Sequence, residues 1–205
     1  MKASLLKEVL EDSYKKNKDI TPPPGYDLDK SLSTTRAKVF KSKDSDDVII
    51  AHRGSASKGD WRDNLLYGRF GMTKSTPTYK KAAKVQKEAI DKYGAENITS
   101  VGHSRAGMYV QELNTDPKTK VKSVITYNKA SGPSDILRKN PKEQTDVRTN
   151  KDVVSFLDYF QRHSNEPITI EHDGFNPISA HTMTDLDKLG DQMIGSGVPL
   201  YLAFN

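Results

Sequence analysis

The sequence predicts an α/β fold, a three-layer sandwich in which a mostly parallel sheet carries helices on both faces. Two observations lead there. Short apolar runs of strand length, at 48–51, 98–101, 121–127 and 167–172, alternate with helical patterns at 79–93 and 106–113. The stretch from Ile98 to Gly107 then passes from strand to helix with almost no loop between. At 205 residues the chain fits one domain, 1–205, with a full core. Its 34% hydrophobic and 29% charged content describes a globular chain with a very polar surface.

Each element follows from local pattern. Residues 3–17 read as a helix, because Leu6, Val9, Leu10 and Tyr14 recur at helical spacing. Thr21-Pro-Pro-Pro-Gly25 ends it, so 1–25 form an N-terminal helix and Pro-rich connection. Residues 37–41 alternate as a strand, Asp44-Ser-Asp-Asp47 turns, and Val48-Ile-Ile-Ala51 returns as a hairpin partner. Ala82, Val85, Ala89 and Tyr93 form one face of the helix 79–93, which Gly94 closes. A strand at 121–127, a last strand at 167–172 and a helix around 185–193 complete the series.

Composition excludes several functions. There is no cysteine, hence no disulfide or thiol chemistry. No apolar run reaches membrane-spanning length. Glu8, Glu11 and Asp12 come too early for a signal peptide, so an intracellular or virus-particle setting is expected. The net charge of +5 is matched by the stretch from Lys58 to Lys92, with nine basic and four acidic residues. It lacks the dense runs and aromatic interleaving of nucleic-acid binding; it reads as a solvated lysine-rich helix, or as a face toward an anionic membrane surface. No His, Asp or Glu pair has ligand spacing on one element, so neither metal nor cofactor is implied.

The chemistry is concentrated in Val101-Gly-His-Ser-Arg-Ala-Gly107. A Gly two before a Ser and small residues just after it allow a sharp strand-to-helix turn, a nucleophile elbow that pushes the hydroxyl out of the sheet's end. The usual Gly two places after the Ser is Ala106 here, with Gly107 one later. A serine needs an imidazole base oriented by a carboxylate. After Ser104 the histidines are His163, His172 and His181, and the acids considered for orientation are Asp146, Asp152 and Asp158. His163 reads as a surface residue, and His172 as either a base or a solvated strand end. His103 is expected on the opposite side of the sheet by alternation.

Upstream lies Arg53-Gly54-Ser55 after an apolar strand, with Asp60-Trp61 a few residues on. Together with Gly102-His103-Ser104 this resembles the class 3 (fungal-type) lipase family, from about residue 37 to about 185. The resemblance implies an α/β-hydrolase fold and places Ser55 in an oxyanion hole. It puts Trp61 in a lid, with the apolar stretch from Leu65 to Met72 continuing over an acyl groove. It matches Asp152 to the triad acid and the loop of His181 to the base, leaving His172 as the alternative and Asp146 and Asp158 as solvated residues. The second oxyanion donor is the amide of Arg105. The departures are Arg105, where the family has an apolar residue, and Asn64, where it has Asp.

The expected function is hydrolysis of a carboxylic ester of a lipid, at triacylglycerol or phospholipid, through an acyl-enzyme on Ser104. The alternatives are a lipase-like domain that binds without catalysis, and an esterase or acyltransferase on small soluble substrates.

Overall fold

The computed structural model describes residues 1–55 and 73–195. Trp61, the 65–72 stretch and the apolar tail 198–204 lie outside the described residues. Seven strands form one sheet in sequential order: β1 (Tyr26–Leu28), β2 (Ala37–Ser42), β3 (Val48–His52), β4 (Ile98–His103), β5 (Ser123–Tyr127), β6 (Gln144–Thr149) and β7 (Ile168–Ile170). The first three pair antiparallel, with Ala37 opposite His52. From β3 onward every pair is parallel, with Val48 beside Ile98 and Thr99 beside Ser123.

Parallel strands that march in one direction, joined by right-handed crossovers, put their connecting helices on one face. Helices α2 (Pro77–Tyr93) and α3 (Arg105–Leu113) accordingly share a core with Val39, Val48, Ile50, Ile98 and Val124. The alternate residues Phe40, Ile49, Ala51, Val101 and Ile125 face the other way. That second face would be bare without α1 (Ala3–Asp12), whose Ala3, Leu6, Val9 and Leu10 are fully buried on it. A 3₁₀ segment, Met183–Leu189, completes the cover and binds α1 through Ser4 N–H to Gly190 O (3.0 Å). A short helix, α4 (Pro133–Ile136), lies between β5 and β6.

Two expected elements differ. The N-terminal helix ends at Asp12 rather than 17, because the Ser13 hydroxyl turns back to Leu10 O (2.7 Å) and Lys16 is extended. The helix expected around 185–193 is instead the 3₁₀ segment, stopped by Gly190 at φ 51°. Elsewhere the ends follow local chemistry: Thr76 caps α2 by accepting from Tyr79 N–H, Pro77 sits in its first turn, and Gly94 at φ 82° ends it.

His52, fully buried on β3, lies 3.1 Å from Gln86 Oε1 through Nε2. Burial, partly offset by that bond, pushes its pKa down to about 4. Below its ordinary value of 6.5 the unfolded chain therefore binds a proton that the fold excludes. Stability falls as pH drops from 6.5 toward 4, by about 1.4 kcal/mol per pH unit from this residue. Urea unfolding measured across that range should show a flatter pH dependence in His52→Gln, which keeps a donor toward Gln86.

Candidate active site

Ser104 follows β4 directly and adopts φ 60°, ψ −129°, a conformation that non-glycine residues avoid. Three hydrogen bonds hold it there. Ser104 N–H donates to Tyr127 O (3.0 Å), while Ser104 O accepts from Gly107 N–H (3.0 Å) and Ala130 N–H (3.1 Å). The turn is tight enough that a Cβ on Gly102 would lie 2.5 Å from Ala106 O. Ala106 fits with its methyl fully buried, and Gly107 is the residue that must stay bare, since a Cβ there would meet Lys129 Cβ at 2.9 Å. The shift from Gly at 106 to Gly at 107 thus has a steric account.

Asp152 lies three residues beyond β6, just after Lys151 at φ 64°. Its carboxylate is buried and accepts from Val154 N–H (3.0 Å) and Ser155 N–H (3.3 Å). His181 Nδ1 sits 3.0 Å from each of its oxygens. Burial raises the carboxyl, but the His181 hydrogen bond and charge outweigh it and hold Asp152 below the usual carboxylate range. A carboxylate on Nδ1 leaves Nε2 of a neutral His181 as the basic nitrogen. No hydrogen bond joins Ser104 to His181 among the described residues.

What brings these groups to one strand end is a set of side chains on three successive carbonyls. Asn128 Nδ2 donates to Ala180 O (2.9 Å), His103 Nε2 to His181 O (2.9 Å), and Tyr127 Oη to Thr182 O (3.1 Å). His103 is therefore not on the opposite side of the sheet, as strand alternation suggested. The chain leaves the strand at Ser104, alternation stops there, and the His103 ring lies under that of His181, centroids 4.8 Å apart. Since a carbonyl only accepts, His103 carries its proton on Nε2, and its Nδ1 accepts from the Tyr14 hydroxyl (3.0 Å). Burial, then the charge of His181, pushes the His103 pKa down to about 3, so the ring stays neutral. In sequence Tyr14 is one apolar position of the N-terminal helix; its phenol is pushed up to about 12 by burial, and it packs closely against Gly54.

Gly54 connects this chain to the β3 exit. A Cβ on it would lie 2.6 Å from Tyr14 Oη, 2.8 Å from His103 O and 3.4 Å from Ser104 Cβ. Ser55, partly exposed, lines the same cavity as Arg105, beside the Ser104 turn. Arg105 opens α3, buried, with its guanidinium 5.0 Å from the Tyr109 ring centroid.

The remaining candidates are placed elsewhere. His172 has its own partners, Asp185 Oδ2 at Nδ1 (2.8 Å) and Ser179 Oγ at Nε2 (2.9 Å), and so clamps the loop that leads to His181. His163, expected on the surface, bridges Asp146 Oδ2 (2.9 Å) and Asp158 O (2.9 Å). Asp146 and Asp158, expected to be solvated, are buried against Lys129, whose Nζ lies 3.3 Å and 2.9 Å from them. The reason is that β6 is covered on both faces, so an acid at its centre is kept charged only by a buried cation. Asp146, Asp158 and His163 hold ligand atoms within 4.8 Å of one another, the grouping among the described residues that could hold a metal ion, with the lysine already neutralising the acids.

The sheet, parallel from its third strand and turning sharply at a serine after the fourth, defines an α/β-hydrolase fold. In structure the chain is similar to Lip2 lipase from Yarrowia lipolytica, at 13% identity over 84% of this chain and 78% of that one, with TM-score 0.55. It is also similar to a Rhizomucor miehei lipase propeptide complex, at 14% identity over 90% and 76%, with TM-score 0.53. The resemblance to class 3 lipases is thus met at the level of fold. No family model matches the chain, and no curated protein matches it in sequence. No helix among the described residues is long and apolar enough to cross a membrane.

Tyr14→Phe leaves His103 Nδ1 buried without a donor. That should cost about 1–3 kcal/mol in urea unfolding, whereas Tyr159→Phe, on the surface, should cost little.

Proposed function

We propose that this protein is a serine hydrolase that cleaves carboxylic esters of lipids. The observation that carries the reading is the strained Ser104 turn with the Asp152–His181 pair delivered to the same strand end. Strain of this kind persists only where surrounding structure holds it, and it collects at functional sites.

In this mechanism Ser104 Oγ attacks the acyl carbonyl while His181 Nε2 takes its proton. Asp152 holds the imidazole in the required tautomer and stabilises its charge. The amides of Ser55 and Arg105 receive the oxyanion, each worth about 10²–10³ in turnover. His181 returns the proton to the leaving alcohol, and water activated by the same nitrogen releases the acyl group. Nucleophile–base contacts commonly tighten only once substrate is bound.

A lipid ester is favoured over a small soluble one by exposed apolar residues close in sequence to Asp152 and His181. Phe175 is 98% exposed and Ile178 74%, and both lie in the loop leading to His181. Val153, Phe156 and Phe160, each more than half exposed, follow Asp152. Large exposed apolar side chains on the two segments that carry Asp152 and His181 suit a surface that meets lipid.

Ser104→Ala should abolish p-nitrophenyl ester hydrolysis with Tm nearly unchanged; retained activity would overturn the reading. His181→Ala should lose about 10³-fold or more in kcat, whereas His172→Ala, which loosens only the loop clamp, should stay within about tenfold. The reverse order would move the base to His172.

A further inference from the structure

A cavity of about 100 Å³ opens where the β3 exit meets the first turn of α3. Among the described residues its side-chain lining is Arg36, Arg53, Ser55, Thr78, Arg105 and Tyr109, three guanidiniums and three hydroxyls with no carboxylate. Arg36 and Arg53 flank the Ala37–His52 pair at the open end of the β2–β3 ladder, where Arg53 N–H donates to Arg36 O (2.8 Å). Like charges placed opposite one another across strands repel. Two other described arginines are neutralised, Arg138 by Glu112 and Asp135, and Arg148 by Asp158, whereas the exposed Arg162 faces solvent. No ion pair is made by Arg36 or Arg53 among the described residues. The Arg53 Nε is buried without a hydrogen-bond partner, and its Nη1 reaches only a long contact to Thr35 O (3.5 Å).

Such a lining suits a group with several charged oxygens arranged in three dimensions. A carboxylate offers two oxygens to one guanidinium fork, whereas a tetrahedral phosphate serves forks and hydroxyls from several directions. An acyl chain is a poor occupant, because it would strip water from guanidiniums and return no hydrogen bond. The cavity shares Ser55 and Arg105 with the two amides assigned to the oxyanion, so its occupant lies beside the reacting carbonyl.

We infer that this cavity is a phosphate subsite, so that the preferred ester carries a phosphate a few bonds from its scissile carbonyl, as a glycerophospholipid does. The inference rests on the ester-hydrolase reading for its kinetic consequence, but not for binding. The lipid headgroup and a soluble phosphorylated ester share this chemistry.

Binding is tested first on Ser104→Ala, which cannot turn over. Inorganic phosphate at about ten times its dissociation constant should raise its Tm by roughly 3–5 °C. Adding Arg36→Gln should remove most of that rise, and Arg36→Lys should restore part of it. Phosphate stabilisation through Arg36 in a protein that proves inactive would sink the hydrolase reading and leave the subsite standing. Turnover is then compared between phosphatidylcholine and diacylglycerol of the same acyl chains in neutral mixed micelles, and between their short-chain soluble counterparts. The wild type should prefer the phosphate-bearing ester, and Arg36→Gln should lower that preference about tenfold or more. Preference in micelles assigns the source to a lipid headgroup, and preference confined to soluble esters assigns it to a small phosphorylated substrate; either supports the subsite. Equal kcat/KM with and without phosphate, a preference that survives Arg36→Gln, or no thermal shift would overturn it.

Discussion

Three consecutive carbonyls, those of Ala180, His181 and Thr182, each accept a hydrogen bond from a side chain at the end of β4 or β5. The loop they belong to has no strand or long helix to fix it, only a 3₁₀ turn at Ser179–His181. Without Asn128, His103 and Tyr127 the described residues would hold His181 only through Asp152 on its ring and the His172 clamp further back in the loop. Asn128 also accepts from Thr149 N–H (2.7 Å), so the same side chain ties the end of β6 to this loop. Geometry at the site is therefore set by the strand ends and transmitted by polar side chains anchored on them.

Polarity makes the arrangement unique as well as tight. The donor order Tyr14 O–H, His103 N–H, His181 C=O runs in one direction, and the final acceptor forbids the reverse tautomer. His103 held neutral by burial is what keeps that direction through the physiological range. A buried polar network specifies one state when every member is satisfied. The Lys129 network behind α3 has the same character: Gln111, Gln161, Asp146 and Asp158 meet one ammonium. A buried ion pair adds little stability by itself, so its value lies in fixing where the chain after Asn128 packs against Gly107.

Much of the fold was legible because it is local. The β2–β3 hairpin, α2 with its Gly94 stop, and the Gly102-to-Gly107 turn follow from period, capping and steric need. Asp152 and His181 were reached by order along the chain, and the 3.0 Å contacts between them come from the topology that parallel strands impose. What stayed hidden is long-range. Tyr14 looked like one apolar position of an amphipathic helix, and nothing in its neighbours reveals a partner 89 residues away. Asp146, Asp158 and His163 read as ordinary surface polar residues, because composition cannot show that β6 is covered on both faces. His103 was misplaced by applying strand alternation one residue beyond the point where the backbone leaves the strand.

The role of the N-terminal segment follows from topology rather than from motif. A sheet whose strands advance in one direction receives its crossover helices on one face, and the opposite face must be closed from outside the repeating pattern. Here α1 closes it, and Tyr14 just past its end reaches Gly54 and His103 at the exits of β3 and β4, beside the Ser104 turn. The tyrosine packs against the first and bonds the second. A region outside the sequence resemblance thus joins the exit of β3 at Gly54 to the loop that carries His181. Truncation of this segment would therefore uncover the Phe40–Ile125 face and remove the Tyr14 contact to His103 in one step, so the cover of the sheet and the order at the candidate site depend on the same segment.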